Sequence, residues 1–131
     1  MALQNITTPQ PSADPEAIKA AIIAKQNNQF RAALILGINT TVPGKVLITP
    51  GVVAEGPTFL AMLQIAVATF DTFTEDNDPY GDHTFGLVKV CETQVYWKID
   101  LYDEDYQFGS EEPENPEKTR RVLTLLLPSE Y

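Results

Sequence analysis

Eight consecutive residues, Val95 to Tyr102, alternate between two kinds of side chain: Val95, Trp97, Ile99 and Leu101 against Tyr96, Lys98, Asp100 and Tyr102. A strand sends successive side chains to opposite faces, so this segment buries one face, the tryptophan side, and must pair with a neighbour. Phe85-Gly86-Leu87-Val88-Lys89-Val90 supplies that neighbour, and a tight turn near Glu92-Thr93 makes the two a hairpin. The sheet then needs a layer to cover its tryptophan side.

Two helices are available for that layer. Asp14-Pro15-Glu16 is a helix start, with a capping carboxylate, a proline suited to the first turn and an acid that complements the dipole. Ile18, Ala21, Ile22 and Lys25 follow at helical spacing and predict one apolar stripe. The helix weakens at Asn27-Asn28 but can run on towards Gly37, a C-cap residue. Lys45 to Thr49 reads as a short strand stopped by Pro50-Gly51. After Gly56-Pro57-Thr58 a second helix carries Phe59, Met62, Leu63, Ile65, Ala66, Val67 and Phe70 around most of its circumference, which predicts burial on more than one side. Val122 to Leu127 is apolar on both faces and reads as a covered strand. These elements predict an α+β fold, two helices packed on one face of a three- to four-stranded, mainly antiparallel sheet. Residues 1–13 read as a flexible arm and residues 14–131 as one domain.

Charge narrows the function classes. The chain has 18 acids and 9 bases, a formal charge of −9, and 14 of the acids lie between Asp71 and Glu117 beside only Lys89 and Lys98. One end of the molecule must therefore carry a negative field, which disfavours direct nucleic-acid binding and favours a basic protein partner. A nucleic-acid mimic is one form this could take. Asp103, Glu104, Asp105, Glu111, Glu112 and Glu114, in the long loop before the last strand, are the expected partner-binding residues. Cys91 is the single cysteine, so an intrachain disulfide or thiolate metal cage is excluded, and a reducing, cytoplasmic setting is expected. No apolar stretch approaches the roughly 20 residues a membrane span needs. Sequons at Asn5 and Asn39 carry no meaning in such a compartment.

The densest polar block is Asp76-Asn77-Asp78-Pro79-Tyr80-Gly81-Asp82-His83. Read from Asp76 as a calcium loop, it lacks a ligand at position 5, where Tyr80 stands, and the glutamate at position 12, where Leu87 stands. His83 is the only histidine, so a transition metal would rest on carboxylates, a poor set for zinc. No metal and no cofactor are expected. Turn chemistry accounts for most of the block, with Asp78 bonding the backbone and Gly81 supplying a positive φ. The alternative is a small enzyme or ligand-binding protein in which Tyr80, Asp82 and His83 meet Lys98 and Asp100 of the polar strand face. No nucleophile with its base stands at a defined spacing.

Four ordered blocks carry a resemblance. They are Asn77 to Gly86 (NDPYGDHTFG), Trp97 to Asp103 (WKIDLYD), Gly109 to Pro113 (GSEEP) and Arg121 to Thr124 (RVLT), and a terminal Glu130-Tyr131 follows them. Together they resemble a bacterial family of small single-domain proteins known as a domain of unknown function, whose members occur also on plasmids and other mobile DNA. Val46 to Val52 is similar too. Asp82, Thr84 and Leu101 depart from the glutamate, aspartate and tyrosine usual in that family. The resemblance implies kinship and brings no activity with it.

Overall fold

The computed structural model describes residues 14–37 and 42–131. The expected arm, both sequons and most of the turn after Gly37 lie outside them. Helix α1 spans Pro15–Leu36, strand β1 Gly44–Ile48, the single helical turn α2 Pro50–Val53 and helix α3 Pro57–Ala68. Strands β2 (Phe85–Val90), β3 (Thr93–Tyr102) and β4 (Arg120–Leu126) follow, and a 3₁₀ turn over Pro128–Glu130 closes the chain. The α+β class stands. The four strands lie in the order β1-β4-β3-β2; only β1 and β4 run parallel, so the sheet is mixed.

Local chemistry sets the boundaries. The Asp14 carboxylate accepts the Glu16 amide at 3.1 Å, and Gly37, at φ 63°, returns its N–H to the Ala33 carbonyl. Cys91 and Glu92 both have positive φ (49° and 69°), the twist a two-residue hairpin turn between β2 and β3 demands. Trp97, Val95, Leu63, Val67, Leu123 and Leu125 are fully buried between the sheet and the helices.

Both helices differ from their expected packing. In α1 the buried residues are Ile23, Ala24, Asn27, Phe30 and Arg31, while Ile18 and Ile22 are exposed. The stripe read from Ile18, Ala21, Ile22 and Lys25 is the outer one. Helical spacing identifies a stripe, but which stripe packs depends on the partner, and here the packed stripe carries Asn27 and Arg31. In α3 only Phe59, Leu63 and Val67 are buried; Met62 and Ile65 face outwards. One layer of helices covers one face of the sheet, so α3 has no second neighbour to bury its outer side.

The chain end is clasped to α2. Glu130 accepts the Thr49 hydroxyl at 2.6 Å and the Leu127 amide at 2.8 Å through Oε1, and the Gly51 amide at 2.8 Å through Oε2. A Cβ on Gly51 would lie 2.6 Å from that second oxygen, so glycine permits the approach. These hydrogen bonds, the Thr49 hydroxyl first, hold the Glu130 carboxyl below its usual pKa. A depressed folded pKa stabilises fully above the unfolded value and loses that stabilisation as pH falls through the folded one. Glu130→Gln should therefore lower Tm at neutral pH, and the difference from wild type should close in thermal melts run at progressively more acid pH. A difference that stayed constant down to strong acid would show that the carboxylate's charge is not what fastens the terminus.

Candidate functional site

The Asp78–His83 turn is tied to α1. Asp78 uses both oxygens on His83: Oδ1 accepts its backbone N–H at 3.0 Å, and Oδ2 lies 3.4 Å from Nε2. Gly81 and His83 take positive φ (72° and 57°), which closes the loop. From α1, Asn27 donates to the Asp82 carbonyl at 2.9 Å, and Asn28 Oδ1 lies 3.0 Å from His83 Nδ1. That asparagine oxygen also accepts Arg31 Nη2 at 2.6 Å, so it is an acceptor and His83 Nδ1 carries the proton. The imidazole stacks on Phe73 at 3.7 Å with planes 3° apart. Nδ1 is thus spent on Asn28, while Nε2 faces the Asp78 carboxylate at 3.4 Å, a contact that is an ion pair only when the ring is protonated. His83 is a fastener between turn and helix.

Lys98 and Asp100 are elsewhere. Phe73, which carries His83, packs at 6.1 Å on Trp97, so the histidine lies on the helix side of the sheet. Lys98 and Asp100 alternate with Trp97 and Ile99 on the opposite face, where they pair with each other at 3.2 Å. The five candidates therefore divide: His83 is fastened to α1 and Phe73 on the helix side, Lys98 and Asp100 form a half-exposed ion pair on the opposite face, and Tyr80 and Asp82 remain together.

Those two line a groove of about 550 Å³ between the N-terminal half of α1, the 79–82 turn, Leu101 of β3 and Pro113. Ala17, Ala20 and Ile23 form its helical wall, and Asp14, Glu16, Lys19 and Asp82 supply its charge. Burial raises the Asp82 carboxyl above its usual pKa, against the lowering effect of the Thr84 hydroxyl, which donates to Oδ1 at 3.2 Å.

A second concavity, of about 330 Å³, is bordered by Asp103, Glu104, Phe108, Glu111, Glu112 and Lys118. Internal bonds set the shape of this loop. Asp103 Oδ1 accepts the amides of Asp105 and Gln107, each at 3.1 Å, and Gly109 bridges back to Tyr102. Buried Thr119 donates to the Glu112 carbonyl at 2.8 Å. Of the six expected partner-binding acids, Asp105, Glu111 and Glu112 are exposed, and Glu104 is exposed 3.8 Å from Arg120. Asp103 spends an oxygen on the loop itself. Glu114 turns inwards: its carbonyl accepts Gln26 at 2.8 Å and its Oε1 is buried. Among the described residues no cluster of three or more His, Cys, Asp or Glu side chains could hold a metal ion, and no helix is long and apolar enough to cross a membrane.

The residues that fasten α1 to the sheet carry almost no mark in the sequence. Arg121 is fully buried under α1, where Nε donates to Asn27 Oδ1 at 2.6 Å and Nη2 to Gln26 Oε1 at 2.8 Å. Burial draws its guanidinium down to about 10. The only signal was an asparagine pair in a helix, read as a weakening and found to be the anchor.

A known family matches the chain. It is described as a protein of unknown function (DUF3768), and its pattern covers residues 48–130, well over half of the chain, so the protein belongs to that family. No curated protein and no solved structure matches.

Proposed function

Because the family brings no activity with it, we propose from the geometry that this is a non-enzymatic, cytoplasmic binding protein that docks a basic protein partner, with its acidic side imitating a nucleic-acid backbone. The observation that carries this reading is the excess of carboxylates lining two concavities, one walled in part by Pro113 and the other by the adjoining residues 109–112. Together they present Asp14, Glu16, Asp82, Asp103, Glu104, Glu111 and Glu112 against Lys19 and Lys118. Their loop is braced from within, so carboxylates are held apart at fixed positions and the field does not depend on partner-induced folding. Phe108, 70% exposed at the second concavity, adds an apolar contact inside the charged rim. The enzymatic alternative loses the meeting of its two halves, since the Lys98–Asp100 pair faces away from Tyr80, Asp82 and His83.

Charge-driven docking must respond to salt. Binding of a labelled arginine- and lysine-rich peptide should weaken by about tenfold or more between ~0.05 M and ~0.5 M salt, as the Debye length shrinks from about 14 Å to about 4 Å. The triple variant Asp105→Asn, Glu111→Gln, Glu112→Gln should bind more weakly and with a shallower salt slope. Equal affinity across that range, or for the variant, removes the reading.

A further inference from the structure

We propose that the groove beside α1 receives a single lysine or arginine side chain of the basic partner. This deepens the docking reading and rests on it. Ala17, Ala20, Ile23, Leu101, Pro79 and Pro113 offer a long cation's methylene stem an apolar bed. The carboxylates of Asp14, Glu16 and Asp82 stand at its border, with Lys19 the one base among the lining residues. Tyr80, 81% exposed at the same border, presents a ring to a cationic head. Asp82 has the Thr84 hydroxyl as its side-chain partner and no ion pair among the described residues, so an entering cation would find a carboxylate in need of compensation. Its raised pKa is consistent with that deficit. The positive end of the α1 dipole opposes a cation here, but Asp14 and Glu16 stand over that end and outweigh its half-charge. Residues 1–13 carry no acidic or basic side chain, so they do not supply the charge.

The test uses the full chain and a labelled heptapeptide, Gly-Arg-Gly-Arg-Gly-Arg-Gly, with its lysine and citrulline counterparts, followed by fluorescence anisotropy. Citrulline keeps the stem and planar head but removes the charge. It should bind about tenfold more weakly than arginine, the combined loss of a carboxylate contact and a cation–π contact. Asp82→Asn should weaken the arginine peptide by about fivefold, within the range of one such contact. Ala20→Phe, which fills the groove, should weaken it similarly, and Lys19→Ala should tighten it. If Ala20→Phe does not fold, Asp82→Asn and Lys19→Ala carry the comparison. Asp82→Asn and Ala20→Phe proteins with wild-type melts and wild-type binding would overturn the groove alone, provided Glu111→Gln/Glu112→Gln still binds more weakly. Failure of every variant and of wild type to bind would remove the docking reading as well. Dimerisation abolished by Ala20→Phe, with peptide binding unchanged, would assign the groove to a second copy of the chain and overturn the proposal.

Discussion

Gly86→Ala should destabilise the protein by about 3 kcal/mol, at the upper end of what forcing volume into a packed core costs. Gly86 sits opposite Trp97 in the β2–β3 ladder, on the covered face. A Cβ there would lie 2.3 Å from Trp97 Nε1, 2.6 Å from Cε2 and 2.8 Å from Cζ2. The indole cannot retreat. It is fully buried, meets Phe70 edge-on at 5.6 Å and Phe73 at 6.1 Å, and lies under the Arg31 guanidinium at 4.6 Å. Alanine at this position must displace the largest side chain of the core or part β2 from β3. Thermal unfolding should show a drop of about 10 °C for a chain of this size. The cause is separable by a double-mutant cycle. Trp97→Leu leaves its own cavity but removes the clash, so Gly86→Ala should cost far less in that background, a coupling of about 1–3 kcal/mol. A Gly86→Ala protein as stable as wild type, or equal costs in both backgrounds, would show that the indole does not fill this space.

The same hairpin shows what could be read without coordinates. Alternation over Val95 to Tyr102 required Trp97 to be buried and Lys98 and Asp100 to face away, and so they do. Asp14, Pro15 and Gly37 mark the bounds of α1, because caps act through neighbours within four residues. The failures share a different cause. Asn27 meets Asp82 and Arg121 across 55 and 94 positions, and Asn28 meets His83 across 55. No local period encodes such partners, so buried polar residues looked like a fault in a helix and the exposed isoleucines looked like its packing face. The alternative reading brings the histidine to Lys98 and Asp100 because its turn leads into the sheet. Which side of the sheet a turn folds towards is settled by its tertiary fastening, here Phe73 and Asn28. The groove was half legible, since Tyr80 and Asp82 were chosen for their chemistry while Ala17, Ala20 and Leu101 carry no chemical mark.

Arg31→Met should cost about 2–4 kcal/mol, although it removes a buried charge that no carboxylate hydrogen-bonds. Arg31 is 2% exposed. Nη1 donates to the Val67 carbonyl at 2.7 Å and the Phe70 carbonyl at 3.0 Å, and Nη2 to Asn28 Oδ1 at 2.6 Å. Val67 lies in the last turn of α3 and Phe70 just beyond it, so the guanidinium occupies the negative end of that helix. Burial lowers its pKa to about 10, which Asp71 partly opposes, so it stays charged at neutral pH and its desolvation counts against the fold. Methionine recovers that penalty. It also takes the donor from the part-buried Phe70 carbonyl and leaves the Val67 carbonyl only the long 3.4 Å bond from the Phe70 amide, at about 1–3 kcal/mol each, and the second loss exceeds the first unless α3 frays to let solvent in. Fraying has its own signature: amide exchange should accelerate at Thr69 and Phe70, whose N–H groups bond Ile65 and Val67, while β3 and β4 keep their protection. Arg31→Lys keeps the charge with a single head that cannot span the same three acceptors, and should fall between wild type and methionine. A methionine variant at least as stable as wild type, with exchange at Thr69 and Phe70 unchanged, would mean that α3 ends without help from α1 and that burying Arg31 is only a cost.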